Sequence, residues 1–137
     1  MSVGTTEPEP EVAGHIVELM VLTAWADGKV EGSEALSIQQ QVAAHPLLHQ
    51  VRNLAGLAKK VRARMTEAGL EEALREVAVQ VVKRPDRELA YQCCVRVMAA
   101  DGDLQAEEAS VLATLQQVFE FSPMDVKRLL VTASRGT

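Results

Sequence analysis

Four acidic residues recur at one spacing in this chain, and their type and position suggest a cation site. Asp27 is followed seven residues later by Glu34, and Asp101 is followed seven residues later by Glu108. A hard divalent cation binds through several carboxylate and carbonyl oxygens. The sequence therefore predicts a candidate metal site, either one at each pair or one shared by both pairs, with Ca²⁺, Mg²⁺, Mn²⁺ and Zn²⁺ as candidate ions. Further candidate ligands lie beside these pairs: Glu31, Asp103 and Glu107.

The two acidic pairs belong to a longer repeated motif, A-D-G-x-[Val/Leu]-x-x-x-E. The second copy lies 74 residues after the first, and the same offset aligns Val21 with Val95 and Ala35 with Ala109. Self-similarity at a fixed offset indicates a duplicated unit. We therefore expect two helix-turn-helix units, at about residues 11–68 and 86–133, related by an approximate two-fold axis.

The motif also has a purely structural interpretation. An aspartate at a helix end can accept loop N–H groups, and a glutamate in the first turn of a helix is favoured by the helix dipole. The spacing matches the second half of an EF-hand loop, but Thr23 and Trp25 in one copy, and Val97 and Ala99 in the other, replace the earlier aspartates. Neither copy is an EF-hand, and both interpretations of the acids stay open.

The elements that would position these acids are helices. Residues 16–26 and 89–100 each contain a single charge, Glu18 and Arg96 respectively, and helices without a polar face belong in the interior of a bundle. Ser33 and Asp86 are predicted N-caps. The apolar spacing and the breaks at Gly and Pro predict about seven helices and no sheet: 11–26, 34–44, 46–68, 70–81, 86–100, 106–119 and 123–133.

Length and composition indicate one all-α domain over residues 11–137, preceded by a disordered acidic tail at residues 1–10. The chain is 47% hydrophobic but only 3% aromatic, so we expect a core of Leu, Val, Ala and Met. A net charge of -5 argues against a nucleic-acid partner. There is no signal-peptide pattern and no apolar run long enough to span a membrane, so we expect a cytoplasmic protein without membrane insertion.

Other residues with possible chemistry have simpler explanations. His45 and His49 have the spacing of a zinc-binding helix, but Pro46 places His45 at a helix boundary. The adjacent Cys93 and Cys94 could react with a thiol-seeking oxyanion, yet their position on a central helix favours two buried apolar residues. His15 is expected to pack or to act as a cap, and Trp25 to fill the core rather than form an exposed contact. The basic cluster of the third predicted helix is expected to be a solvated face: Lys59, Lys60, Arg62 and Arg64.

Together, two hydrophobic helices ending in A-D-G-x-hydrophobic-x-x-x-E and a closing helix after Phe-x-Phe-Ser-Pro resemble the TerB domain of tellurite-resistance operons. The resemblance covers about Val12 to Ala133 and includes both acidic motifs. It implies an all-helical, cytoplasmic, bacterial module of tellurite or metal stress response, with acidic residues that bind metal and no catalysis. No nucleophile-base pair or cofactor motif is visible. The alternative function is a protein-protein interaction scaffold whose acidic loops are structural.

Overall fold

The all-α class predicted from the sequence is confirmed. The computed structural model describes residues 10–26, 32–51, 53–100 and 106–135. Within those ranges the chain forms seven α-helices, one 3-10 turn at Leu48–Gln50 and no β-strand. The helices are α1 (Pro10–Ala24), α2 (Gly32–Ala44), α3 (Leu54–Ala68), α4 (Leu70–Ala78), α5 (Arg84–Ala99), α6 (Ala106–Phe119) and α7 (Pro123–Arg135).

Helix α1 is the most enclosed element of the described structure. Every side chain from Ile16 to Ala24 is buried, and α1 packs against α2, α3, α4, α5 and the 3-10 turn. Its most extensive contact is with α5, as predicted for this pair. Neither α1 nor any other helix in the described ranges is long and apolar enough to cross a membrane. The two-fold relation between the units stays a prediction.

The core is mainly aliphatic, as predicted, but its few aromatic rings are concentrated where α5, α6 and α7 meet. The Tyr91 and Phe121 rings lie edge to face with their centroids 5.5 Å apart, and the Phe119 and Phe121 centroids are 5.7 Å apart. Tyr91 and Phe119 are among the largest fully buried side chains. Between the two phenylalanines, Glu120 has φ 60, and this left-handed residue turns the chain from α6 towards α7.

The third predicted helix is not continuous. The sequence predicted one helix from residue 46 to residue 68, whereas the structure has a short 3-10 turn followed by α3. Asn53 accounts for the new start, because its side-chain Oδ1 accepts a hydrogen bond from the Gly56 N–H at 3.0 Å. The apolar stripe still faces the core, with Leu47 and Val61 buried and Leu54 partly buried.

The two predicted N-caps are also wrong. Helix α5 begins at Arg84, so Asp86 lies within its first turn, and Lys83 has the extended backbone of the preceding residue. Pro85 is tolerated there because a first-turn residue needs no N–H for an intrahelical hydrogen bond. Helix α2 begins at Gly32, which places Ser33 inside the helix. Helices α1 and α4 end two and three residues earlier than predicted, since sequence patterns do not define frayed ends.

Candidate functional site

The two acidic motifs lie where one helix reverses into the next. Helix α1 ends at Ala24 and α2 begins at Gly32, while α5 ends at Ala99 and α6 begins at Ala106. Both helix pairs therefore flank the motifs as the sequence predicted. Part of the candidate metal site lies outside the described residues, namely Asp27, Glu31, Asp101 and Asp103.

The glutamate of each motif is buried in the first turn of the second helix. Glu34 in α2 is 1% exposed, and Glu108 in α6 is 2% exposed. Both side chains have interaction partners in the structure. Glu107, the additional candidate ligand in α6, is exposed. The structure thus buries both glutamates in the first turn of a helix, whereas their neighbour Glu107 is exposed to solvent.

Burial at these positions needs compensation. Moving a carboxylate out of water costs on the order of several kcal/mol unless other groups offset the lost hydration. Glutamate is therefore almost never fully buried without a partner. The N–H groups of a first helical turn and the positive end of the helix dipole supply part of that compensation, and a bound cation would supply more. Glu34 and Glu108 are consequently the most informative of the described candidate ligands.

The described acids do not form a ready-made cation cluster. Within residues 10–26, 32–51, 53–100 and 106–135, no three His, Cys, Asp or Glu side chains lie close enough together to hold a metal ion. The two glutamates also belong to helices with different neighbours. Helix α2 packs mainly on α5, α1 and the 3-10 turn, whereas α6 packs mainly on α4 and α5. A metal site would therefore need ligands from the reversals themselves.

A second feature of the surface is a groove between α2 and α5 with a volume of about 830 Å³. Its walls are mostly apolar, and Leu36, Leu48 and Val95 supply the larger side chains. Arg96 and Gln41 supply polar groups. The groove was not predicted from the amino-acid sequence. The one available signal was Arg96, the single charge in an otherwise uncharged stretch.

Comparison with known protein families identifies the family of this chain. A family model described as tellurite resistance protein TerB matches residues 13–131, from α1 into α7. The chain belongs to the TerB family. This confirms the resemblance seen in the two acidic motifs and the closing helix. No curated protein and no solved structure matches the chain.

The histidines of this TerB-family chain make local contacts. His45 Nδ1 accepts a hydrogen bond from the Leu47 N–H at 3.1 Å, which stabilises the turn after α2. Burial, with a smaller contribution from the positive charge of Arg96, lowers the pKa of His45. His49 is exposed. His15 Nδ1 lies 2.9 Å from Glu18 Oε1, so the predicted packing residue also has a polar partner on its own helix.

Both cysteines are buried inside the TerB-family bundle, as predicted. Cys93 and Cys94 are free thiols that are 1% and 0% exposed. Burial raises the pKa of each thiol to about 12. Because the thiolate is the reactive form of cysteine, this environment opposes direct reaction with an oxyanion. The thiols therefore fill the core as small apolar groups.

The basic side chains of α3 are exposed, as predicted, but several of them have specific partners. The Arg62 guanidinium lies 4.8 Å from the centre of the Trp25 ring, at cation-π distance. Trp25 is only partly buried and packs against the edge of the core. Arg64 pairs with Glu76 of α4. These contacts tie α3 to the end of α1 and to α4.

Proposed function

We propose that this TerB-family chain is a non-enzymatic helical module of the bacterial response to tellurite or metal stress. In this proposal its two acidic reversals bind a divalent cation, and it acts in the cytoplasm without a nucleic-acid partner or insertion into a membrane. The ligands are Asp27 and Glu34 in the first reversal and Asp101 and Glu108 in the second. Further carboxylates can complete the coordination: Glu31, Asp103 and Glu107.

The observation that carries the proposal is the matched burial of Glu34 and Glu108. Each lies in the first turn of the helix that follows an acidic motif, and each is almost fully removed from solvent. A surface glutamate would be enough to interact with a helix dipole, which contributes only about 0.3–1 kcal/mol. Two buried carboxylates at equivalent positions of a repeat fit better with a role that needs oxygen ligands in a fixed place.

Calorimetric titration of the chelator-stripped full chain tests the proposal. Ca²⁺, Mg²⁺, Mn²⁺ and Zn²⁺ are added separately, and at least one should release or absorb heat with a saturable isotherm. The same ion should raise the melting temperature, because a ligand at about 100 times its dissociation constant stabilises the native state by about 2.7 kcal/mol. Flat titrations with all four ions would overturn the cation proposal.

Two sets of substitutions identify the ligands. Asp27→Asn combined with Asp101→Asn should abolish the heat signal, and Glu34→Gln combined with Glu108→Gln should do the same. Glu72→Gln is the matched control, since Glu72 is an exposed glutamate in the first turn of α4 and is not a candidate ligand. The control should retain more than half of the binding enthalpy. Equal losses in the control and the Glu108 variant would argue for a diffuse charge effect.

The alternative function is a protein-protein interaction scaffold in which the acids are structural. Its support is that Glu34 and Glu108 already have interaction partners in the structure. Helices α2 and α7 also expose large apolar side chains, with Leu36 52% and Val131 43% exposed. Exposed apolar side chains mark a protein-binding surface where they form one contiguous patch.

The scaffold hypothesis makes an opposite prediction about chelators. If the acids only stabilise the fold, Asp27→Asn with Asp101→Asn should lower the melting temperature by the same amount with and without chelator. Pull-down of a binding protein should then be lost on Leu36→Asp and retained in the aspartate variant. A chelator-dependent effect of the aspartate pair would instead support the cation site.

A further inference from the structure

The groove between α2 and α5 is large enough for a small organic ligand. Its volume of about 830 Å³ lies within the range of roughly 300–1,000 Å³ that is usual for small-molecule sites. Leu36, Leu48 and Val95 form much of the apolar wall, and small residues such as Ala44 and Ala99 keep the groove open. An apolar ligand body would be in contact with both helices.

Polar side chains hold the two walls of the groove at a fixed separation. The Gln41 Nε2 group of α2 donates a hydrogen bond to the Cys93 carbonyl of α5 at 3.2 Å and another to Ser37 Oγ at 3.2 Å. The Ser37 hydroxyl donates to the Arg96 carbonyl at 3.5 Å. These bonds orient the Gln41 amide and link α2 to α5 along the groove.

Two buried polar atoms of the groove residues lack a hydrogen-bond partner. They are Gln41 Oε1 and Arg96 Nε, and within the described part of the chain no other buried side-chain nitrogen or oxygen is in this condition. Such groups are rare in native proteins because each one costs about 1–3 kcal/mol. Gln41 Oε1 is a hydrogen-bond acceptor, Arg96 Nε is a charged donor, and both residues line the same groove. A ligand in the groove would satisfy these atoms after a small side-chain movement.

The groove carries one permanent positive charge. None of the ion pairs among the described residues includes Arg96, and no acidic side chain is among the described residues that line the groove. Arginine stays protonated at every physiological pH. His45 also lines the groove, and its lowered pKa keeps its imidazole mainly neutral at pH 7. The described residues that line the groove thus carry a net positive charge, on a chain whose net charge is -5.

We propose that this groove binds a small organic carboxylate, with the carboxylate on the Arg96 guanidinium and the apolar body against Leu36 and Val95. A single arginine between apolar walls matches a singly charged group on an apolar body. A phosphate monoester carries about -1.5 to -2 charges and calls for more donors than this groove offers. None of the described residues that line the groove is a candidate cation ligand.

The test uses octanoate as the probe and the isotopically labelled full chain in a buffer containing chelator. Amide resonances of groove residues in α2 and α5 should shift progressively with octanoate below its micelle-forming range. Octan-1-ol and octylamine share the apolar body and should shift the same resonances at least about tenfold more weakly, because they lose the charge-assisted hydrogen bonds. An equal response to octan-1-ol would overturn the carboxylate assignment.

Three variants locate the site. Arg96→Gln should weaken octanoate binding about tenfold or more, while Lys59→Gln, which removes the same charge from an exposed position on α3, should leave it unchanged. Ala99→Leu should also weaken binding by filling the groove from an exposed position, which keeps the test decisive if Arg96→Gln does not fold. Unchanged binding in Ala99→Leu, or no groove shifts at all, would overturn the proposal. Because chelator is present, these outcomes do not depend on the cation site.

Discussion

At the scale of single residues, backbone conformation is most restrictive at Gly69. This glycine ends α3 and begins α4 with φ 89 and ψ 159. The region is accessible to glycine and strongly unfavourable for residues with a Cβ atom. The sequence predicted a helix end here, but it did not specify this conformation, which follows from the angle at which α3 and α4 pack.

Replacement of Gly69 by Ala should lower the free energy of unfolding by about 1–3 kcal/mol, because alanine is strained at this φ and ψ. Urea denaturation of the two proteins measures the difference. Gly32→Ala is the control, since a Cβ at Gly32 would meet no atom within 4 Å and its φ is not in the positive region. An equal loss at Gly32 would contradict the conformational explanation.

The thiols of Cys93 and Cys94 should be unreactive in the folded protein. With a pKa of about 12 for each, roughly one thiol in ten thousand is ionised at pH 8. A chromogenic disulfide reagent at pH 8 should therefore label neither cysteine rapidly in native protein and both in guanidinium chloride. Rapid labelling of native protein would show that the core around α5 opens far more readily than its burial indicates.

The sequence indicated the candidate acids but not their environments. The spacing identified Glu34 and Glu108, and both lie in the first turn of the helix that follows their motif. Their burial was not predictable, because first-turn glutamates are usually solvated and exposure depends on how α2 and α6 pack on the rest of the bundle. Arg96 illustrates the same point, since its charge was visible in the sequence while the groove beside it requires the position of α2.

At the scale of helices, local capping chemistry determined which predicted boundaries were correct. The predicted start of α7 after Ser122 is confirmed: Ser122 N–H donates to Asp125 Oδ2 at 2.9 Å, and Asp125 N–H donates to Ser122 Oγ at 3.1 Å. This reciprocal pair is a capping box. The start of α3 at Leu54 was not predicted, because the spacing of apolar residues continues regularly past Asn53. That spacing does not show that Asn53 caps a new helix.

The cap of α7 should make stability depend on pH through Asp125. Hydrogen bonds from Ser122 and from Arg84 lower the pKa of Asp125 from 3.8 to about 2. The stabilising contribution should therefore be fully present above about pH 4 and should decrease as the pH falls towards about 2.

Comparison with Asp125→Asn measures this contribution. The difference in melting temperature between the native chain and the variant should be largest above about pH 4 and should shrink as the carboxylate is protonated near pH 2. Asp125 also lies 2.9 Å from Arg84 of α5. A difference that stays constant across this pH range would mean that the carboxylate charge does not contribute to the cap.

At the scale of the whole molecule, the packing of the helices that flank the two acidic motifs bears on whether a cation site would be shared between them. Helices α1 and α5 lead into the two reversals and pack extensively on each other. The helices that carry Glu34 and Glu108 share α5 as a neighbour but differ otherwise: α2 also contacts α1, whereas α6 also contacts α4. This arrangement favours two separate cation sites over a single shared one.

Separate sites predict additive effects of Glu34→Gln and Glu108→Gln. In the presence of chelator, each substitution changes the free energy of unfolding because one buried carboxylate is lost. With the binding cation present, each should remove about half of the cation-induced stabilisation, and the double variant should remove all of it. Independent sites should add to within about 0.3–0.5 kcal/mol. Urea denaturation of the four proteins, with and without the cation, provides the complete cycle.

A shared site would give a different pattern in the same cycle. Either single substitution would then remove nearly all of the cation-induced stabilisation, and the coupling energy would exceed about 0.5 kcal/mol. The number of cations bound per chain gives an independent check, because separate sites should lose one cation per substitution and a shared site should lose its only cation with the first. Since α2 also contacts α1 whereas α6 also contacts α4, we expect the additive result and the stepwise loss of cations.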